Sequence, residues 1–403
     1  MQTNRRRFLQ GALGASSLIS LSPLAPDFLL NARAAAADGR SEKVLVVLQL
    51  SGGNDGLNTV IPHADDAYRK NRYTLAVGGS QVLGINDYLG FHPSMKGMAE
   101  LFENNQLAVV QGVGYPNPDR SHFESMDVWN SAKRKQDARP VGWLGRYLDS
   151  HAANDGRDLP AMHLGEEKQP LALTAHKIRV PSIHSTESFR LDVGDNEPLR
   201  TAAEQGAAVA RPAGNDLLDF MRQSTAAALS SSRRVQEALT NYSSPVEYPG
   251  FRLASRLRTV AQLIDAGLGT KIYYLELGGF DTHSDQADAH AALLSQVSGS
   301  LAAFLKDVAH HGHGDRVLVM TFSEFGRRVK QNASNGTDHG AAAPMFLAGG
   351  KVKGGIIGEH PSLTDLTDGD LKFHTDFRRV YASVLEQWLG CPSEPILGEK
   401  YDP

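Results

Sequence analysis

The chain predicts an α/β fold: a doubly wound, mainly parallel sheet sandwiched by helices. Three observations carry that reading. Apolar runs of strand length alternate with segments of helical period. The runs hold branched and aliphatic residues with little polar alternation, as strands covered on both faces do. The first four runs hand over to loops bearing acidic, histidine, serine or arginine residues, at the strand end where open α/β sheets build sites.

In chain order, Asn4–Gln10 (NRRRFLQ) resembles the twin-arginine export signature, and a weakly apolar segment follows to Leu30. Ala32-Arg33-Ala34, or the alanine run after it, offers a small-residue cleavage site. Pro23, Pro26, Asp27 and Ser16, Ser17, Ser20 and Ser22 make the segment a poor permanent span. A cleaved signal peptide over residues 1–37 is therefore expected, with export through the twin-arginine translocase to the periplasm or beyond. No stable membrane span is expected after cleavage. Removing the leader takes away four Arg and one Asp, moving the formal charge from −4 to −7. A chain of that sign carries no basic field for nucleic acid. Cys391 is the single cysteine, so no intramolecular disulfide forms and the core must supply stability.

Residues 38–403 read as one domain. Its first strand is Val44–Leu50, ending in the loop Ser51-Gly52-Gly53-Asn54-Asp55-Gly56, whose glycines let backbone pack around one carboxylate. Leu75–Val77 and Tyr88-Leu89 read as short edge pieces, and Ser94–Asn104 has Met95, Met98, Leu101 and Phe102 at helical spacing. Leu107–Gly112 is a second buried strand, and a helix begins at Ser121. From Ala138 to Arg200, the opening part of an inserted region around 138–250, the pattern changes to short runs (Leu159–Leu164, Leu171–Leu173, Ile178–Pro181) between polar, proline-containing turns. That stretch predicts an inserted cap rather than more of the main sheet, followed by helices over Asp216–Asn241 and Phe251–Ala266. Lys271–Leu277, Arg316–Phe322 and Pro344–Ala348 complete the strands, with helices over Asp285–His311 and Thr375–Leu389.

The candidate chemistry gathers at the strand ends: Asp55, Asp281, His283, Glu324 and, if their loop folds back, Asp338 and His339. Mixed carboxylate and imidazole ligands suit zinc, manganese or iron, and with fewer histidines magnesium or calcium. Ser121, in Asp119–Glu124 (DRSHFE), fits a capping box that explains Ser121 and Glu124 without chemistry. The same position suits a nucleophile, a hydroxyl acidified at a helix N-terminus beside a metal. His122 would be a ligand or would orient Ser121. Arg120 and Arg327 match a phosphate or sulfate bidentately, whereas Arg328 reads as a solvated surface residue.

Through LQLSGGNDGLN, GVGYPNPDRSHFES, GGFDTHSDQ, TFSEFGRRV and GTDHGAAAPMFLAGG, the chain resembles the bacterial domain-of-unknown-function family 1501 over nearly all of its mature length. That family is similar to the alkaline phosphatase and sulfatase superfamily, which implies an alkaline phosphatase-like α/β/α sandwich with metal at the strand ends. The resemblance implies that Asp55 and Asp281 are metal ligands, that Ser121 stands where the nucleophile opens a helix, and that His339 is the last histidine ligand. Two positions depart from the pattern. Glu324-Phe325 stands for an Asp-His pair, and Asp285 stands where a histidine would follow Asp281, with His283 two residues on. One metal, a harder metal or no catalysis are each compatible with those departures. The expected activity is metal-dependent hydrolysis of a phosphate or sulfate ester, small or polymeric. The alternative is an exported binding or assembly protein that keeps the fold without turnover.

Overall fold

The computed structural model describes residues 42–134, 136–151, 159–183 and 242–403. The signal peptide over 1–37 and the helix over Asp216–Asn241 lie outside the described residues.

A nine-stranded sheet organises the described residues. In chain order its strands are β1 (Val44–Leu50), β2 (Leu107–Gly114), β3 (Ala161–Leu164), β4 (Ser182–Ile183), β5 (Ile272–Leu277), β6 (Val317–Phe322), β7 (Ala343–Ala348), β8 (Gly355–Ile357) and β9 (Thr375–Asp376). Across the sheet they run β8-β2-β7-β6-β1-β5-β3-β4, with β9 also paired to β2. Every pairing is parallel except the two made by β7, which is antiparallel to both β2 and β6. The sheet is thus mixed and mostly parallel.

Helices cover both faces, and β1 shows why its sequence has no polar alternation. Val44, Val46, Leu48 and Leu50 join one apolar cluster, while Leu45 and Val47 join another. Successive side chains of a strand point to opposite faces, so two cores require apolar residues at both parities. The first cluster is closed by Met98 and Leu101 of α2 (Lys96–Glu103), by Leu253, Leu257, Val260 and Ile264 of α5 (Arg252–Asp265), and by Leu294, Leu301 and Phe304 of α6 (Gln286–His310). The second is closed by Val128 and Trp129 of α3 (His122–Ser131), Leu144 and Leu148 of α4 (Trp143–His151), and Phe377 and Tyr381 of α7 (Phe377–Ser383). The preceding short helix, α1 (Asp66–Asn71), lies in the polar stretch after β1.

Two expectations are corrected. Residues 161–164 and 182–183 extend the main sheet, with β3 parallel to β5 and β4 parallel to β3. These segments therefore do not belong to a cap, and Leu171–Leu173 is a 3-10 turn rather than a strand. A separate three-stranded sheet pairs Val60–Ile61, Gly90–Phe91 and Leu83–Gly84, and neither Leu75–Val77 nor Tyr88-Leu89 is a strand of it.

Candidate functional site

Strands β6, β1 and β5 are adjacent and parallel, so their carboxyl ends lie side by side. The loops beyond them are cross-linked by hydrogen bonds. The Ser51 amide donates to the Leu277 carbonyl (2.9 Å), the Phe280 amide to the Ser51 carbonyl (3.1 Å), and Ser323 Oγ to the Leu50 carbonyl (2.6 Å). Gly52 sits at φ +119°, and a Cβ there would lie 2.3 Å from the Asp281 amide nitrogen. Only glycine permits that approach. The chain after β6 then folds back on itself: Arg328 N donates to Asp338 O (3.0 Å), Gly340 N to Gly326 O (2.8 Å), and Thr337 N to Thr282 O (3.1 Å). This turn brings Asp338 and His339 to the strand ends, the condition on which their candidacy depended.

Four side chains converge there. Ligand atoms of His122, Asp281 and His339 lie within 4.8 Å of one another. His339 Nε2 is 3.0 Å from Asp281 Oδ1, and His122 Nε2 is 3.4 Å from Asp281 Oδ2. His283 joins them, its Nε2 being 3.1 Å from Asp281 Oδ1 and 2.9 Å from His339 Nε2. The other nitrogen of each ring meets an acceptor. His122 Nδ1 lies 2.8 Å from Glu324 Oε1, an oxygen that also accepts from the Gly52 amide. His283 Nδ1 lies 3.2 Å from Asp338 Oδ1, and His339 Nδ1 lies 2.8 Å from the Arg120 carbonyl. Acceptors of this kind fix the proton on Nδ1 and leave the lone pair on Nε2, the arrangement that orients histidine ligands in metal sites.

The electrostatics agree. Burial would raise the Asp281 carboxyl, but the Arg327 guanidinium that donates to it holds it at about 2, so it is anionic. The Glu324 hydrogen bond raises the pKa of His122, against the effect of burial, and so increases its basicity.

Several candidates have other roles in this geometry. Glu324 and Asp338 contact the far nitrogens of His122 and His283 and so sit behind the cluster, where ligands had been expected. Arg327 is not open to an anion. Its guanidinium is fully buried and donates to the carbonyls of Gly52, Gly53, Phe280 and Thr337 and to Asp281 Oδ1. Asp55 is 1% exposed and lies outside the cluster. Both its oxygens accept from Arg72, with Arg72 Nη2 2.9 Å from Oδ1, and Oδ2 also accepts from Gln286 Nε2 (2.5 Å). Burial opposes the charge, and the Arg72 guanidinium nevertheless holds the carboxyl below its ordinary range. Gln286 Oε1 accepts from Thr282 (3.1 Å) and Thr337 (2.6 Å), so Asp55 supports the turns carrying Asp281, His283 and His339 through one amide. Arg72 and Gln286 have no sequence signal of their own. One is the C-cap of a six-residue helix and the other follows a helix N-cap.

His290 of α6 borders the same network, 3.4 Å from Thr59 Oγ1, and burial depresses its pKa to about 4. An unfolded histidine binds its proton near pH 6.5, so this imidazole contributes stability that is complete above pH 6.5 and is lost as the pH falls through 4. Between those limits the contribution changes by up to about 1.4 kcal/mol per pH unit. Urea unfolding of the parent and His290→Gln proteins at pH 7, 6 and 5 should therefore give a shallower acid loss in the variant. Parallel profiles would contradict the assignment.

Ser121 is the exposed N-cap of α3, and its side chain makes no capping bond. The capping box is not formed, because Glu124 pairs with Arg139 (2.6 Å) while Asp119 accepts from the Ser121 amide (2.8 Å). The residues on either side of Ser121 both touch the cluster, Arg120 through its carbonyl and His122 through its ring. The Arg120 guanidinium pairs with Asp370 (2.5 Å) while its side chain stays 44% exposed.

The fold and site together define an α/β protein with an imidazole–carboxylate cluster at the carboxyl ends of its central strands. Residues 42–375 match the family described as protein of unknown function (DUF1501), and the chain belongs to that family. No curated protein matches the sequence. Three solved structures illustrate what the chain is similar to. A sulfatase from Pseudoalteromonas sp. is 13% identical, with TM-score 0.35 over 87% of this chain and 73% of that one. A protein of the alkaline phosphatase superfamily from Vibrio parahaemolyticus is 10% identical, with TM-score 0.36 over 100% and 83%. The soluble domain of lipooligosaccharide phosphoethanolamine transferase A from Neisseria meningitidis is 10% identical, with TM-score 0.32 over 77% and 78%. Among the described residues, no helix is long and apolar enough to cross a membrane.

Proposed function

We propose that the protein is an exported, metal-dependent hydrolase of a phosphate or sulfate ester, reaching the periplasm or the exterior by the twin-arginine route. The observation that carries this reading is the convergence of three imidazole Nε2 atoms on the Asp281 carboxylate, each ring with its Nδ1 engaged. That donor set fits a divalent ion, with His122, His283, His339 and Asp281 holding it. When bound, the ion would act as a Lewis acid on a phosphoryl or sulfuryl oxygen.

The chain supplies the rest. Ser121 Oγ, exposed at the N-terminus of the ten-residue helix α3, gives up its proton and bonds to phosphorus or sulfur as the bond to the leaving alcohol breaks and that oxygen takes up a proton. Water then cleaves the seryl ester to release phosphate or sulfate. The helix terminus favours the developing negative charge. Arg120, tethered by Asp370 but 44% exposed, would hold anionic oxygens of the ester group. Ser121→Ala should lower turnover of aryl phosphate or aryl sulfate esters by about 10³-fold or more while metal content stays the same. Unchanged turnover would remove Ser121 from the mechanism.

One observation favours the second reading, a binding or assembly role without turnover. Asp55, which the family resemblance assigns to metal, is committed to Arg72. A purified protein that holds metal yet hydrolyses neither ester class would establish that reading.

A further inference from the structure

The donors at this site also bear on how many ions it takes and of what kind. We propose that His122, His283, His339 and Asp281 form a mononuclear centre selective for a borderline transition ion, of the zinc, manganese or iron(II) class, with His122 as a full ligand. The proposal rests on the reading of the cluster as a metal centre and says nothing about which ester is cleaved.

Three lines of argument converge. The first is donor chemistry. Three nitrogens and one carboxylate suit zinc, manganese and iron, whereas magnesium and calcium take shells of oxygen. The second is spacing. The donor pairs stand 2.9, 3.0, 3.1 and 3.4 Å apart. Ligands about 2.0–2.1 Å from a tetrahedral centre lie roughly 3.3 Å from one another. The ligand atoms of His122, Asp281 and His339 already lie within 4.8 Å of one another, and His283, in contact with Asp281 and His339, turns inward to complete the shell. The third is orientation. Glu324 and Asp338, from the connection after β6, and the Arg120 carbonyl, from the loop before α3, each turn one imidazole so that its Nε2 faces inward. A histidine present only to orient Ser121 would not need its far nitrogen against a buried carboxylate while its near nitrogen faces Asp281.

The neighbouring carboxylate argues against a second ion. Asp55 carries a fixed cation already: Arg72 is fully buried, donates to both Asp55 oxygens, and is itself held by the carbonyls of Val329 (2.7 Å) and Arg328 (2.8 Å). A divalent ion at Asp55 would have to displace a guanidinium anchored at both ends. Arg327 donates to Asp281 through Oδ1 alone and that carboxylate is 47% exposed, whereas Arg72 takes both oxygens of a buried Asp55, which leaves one exchangeable site.

Titration calorimetry and elemental analysis of the full-length mature protein, stripped with a chelator and reloaded, test this directly. One equivalent of zinc per chain is expected, with zinc or cobalt binding at least about 100-fold more tightly than magnesium or calcium. The cobalt form should show the visible absorption of a mixed nitrogen–oxygen site. His122→Ala should weaken zinc binding by about 100-fold, and Asp338→Ala, a substitution at an exposed side chain, by about 10–100-fold. The melting temperature of each metal-free variant separates lost affinity from lost fold, and Asp338→Ala serves if His122→Ala does not fold. Two equivalents per chain, equal affinity for calcium, or unaltered zinc affinity in His122→Ala would overturn the proposal. One tightly bound zinc in a protein without hydrolase activity would uphold this centre while removing the hydrolase reading. An active hydrolase with two ions would do the reverse.

Discussion

Arg327→Met is expected to destabilise the protein by about 3–5 kcal/mol and to scatter the candidate site, because its guanidinium ties the site's loops together. The side chain is 0% exposed and donates to the carbonyls of Gly52 and Gly53 after β1, Phe280 after β5 and Thr337 before His339, as well as to Asp281. Each buried carbonyl left without a donor costs about 1–3 kcal/mol, and the loops can relax only part of that away. The loss falls on the turns that bear Asp281, His283 and His339, so metal affinity should fall together with stability. Arg327→Lys should recover little, since one ammonium on a flexible stem cannot span acceptors that a planar fork with five N–H groups reaches. Urea unfolding reads the stability and calorimetric zinc binding reads the site. A variant losing less than about 1 kcal/mol would show that these hydrogen bonds are dispensable.

The contrast between Arg327 and its sequence reading shows what the sequence could and could not reveal. The strands were legible because each apolar run is long and buried on both faces, as β1, β2, β5, β6 and β7 are. The helix over Asp285–His311 was legible to its caps, Asp285 and His311, because its helical period is long. From the strand ends, the rule for parallel sheets picked out Asp281, His283 and Glu324 together. What each group does there was not legible, because a carboxylate reads the same whether it faces an ion, an imidazole or an arginine. Glu324 faces His122, Asp338 faces His283, and Asp55 faces Arg72. Arg327 follows a strand like an anion-binding arginine, and only the three-dimensional path of the loops turns it inward. The run that holds the four-residue strand β3 was legible as strand-like, but its place in the main sheet was not. It lies among prolines and turns, and its membership of the sheet is decided by pairing with β5.

Arg72→Leu should cost about 3–5 kcal/mol, the penalty for leaving a buried carboxylate without its partner. Arg72 and Asp55 are 0% and 1% exposed, and they lie seventeen residues apart in the chain. Their pairing links α1 to the loop after β1, and the same guanidinium reaches the carbonyls of Arg328 and Val329. Asp55→Leu should be similarly costly, since it strands a buried guanidinium. The double substitution is the informative one. Replacing a buried ion pair by apolar groups of similar bulk is often nearly neutral, so Arg72→Leu combined with Asp55→Leu should be more stable than either single variant. The interaction energy from that cycle should reach about 2–3 kcal/mol, the upper part of the range for residues in direct contact. Additive losses would mean that the two residues act separately, Asp55 through Gln286 and Arg72 through the carbonyls. A large coupling would identify the pair as a fixed internal charge. Because Gln286 connects Asp55 to Thr282 and Thr337, the double variant should then fold well yet bind zinc more weakly, separating the stability of this pair from its support of the neighbouring site.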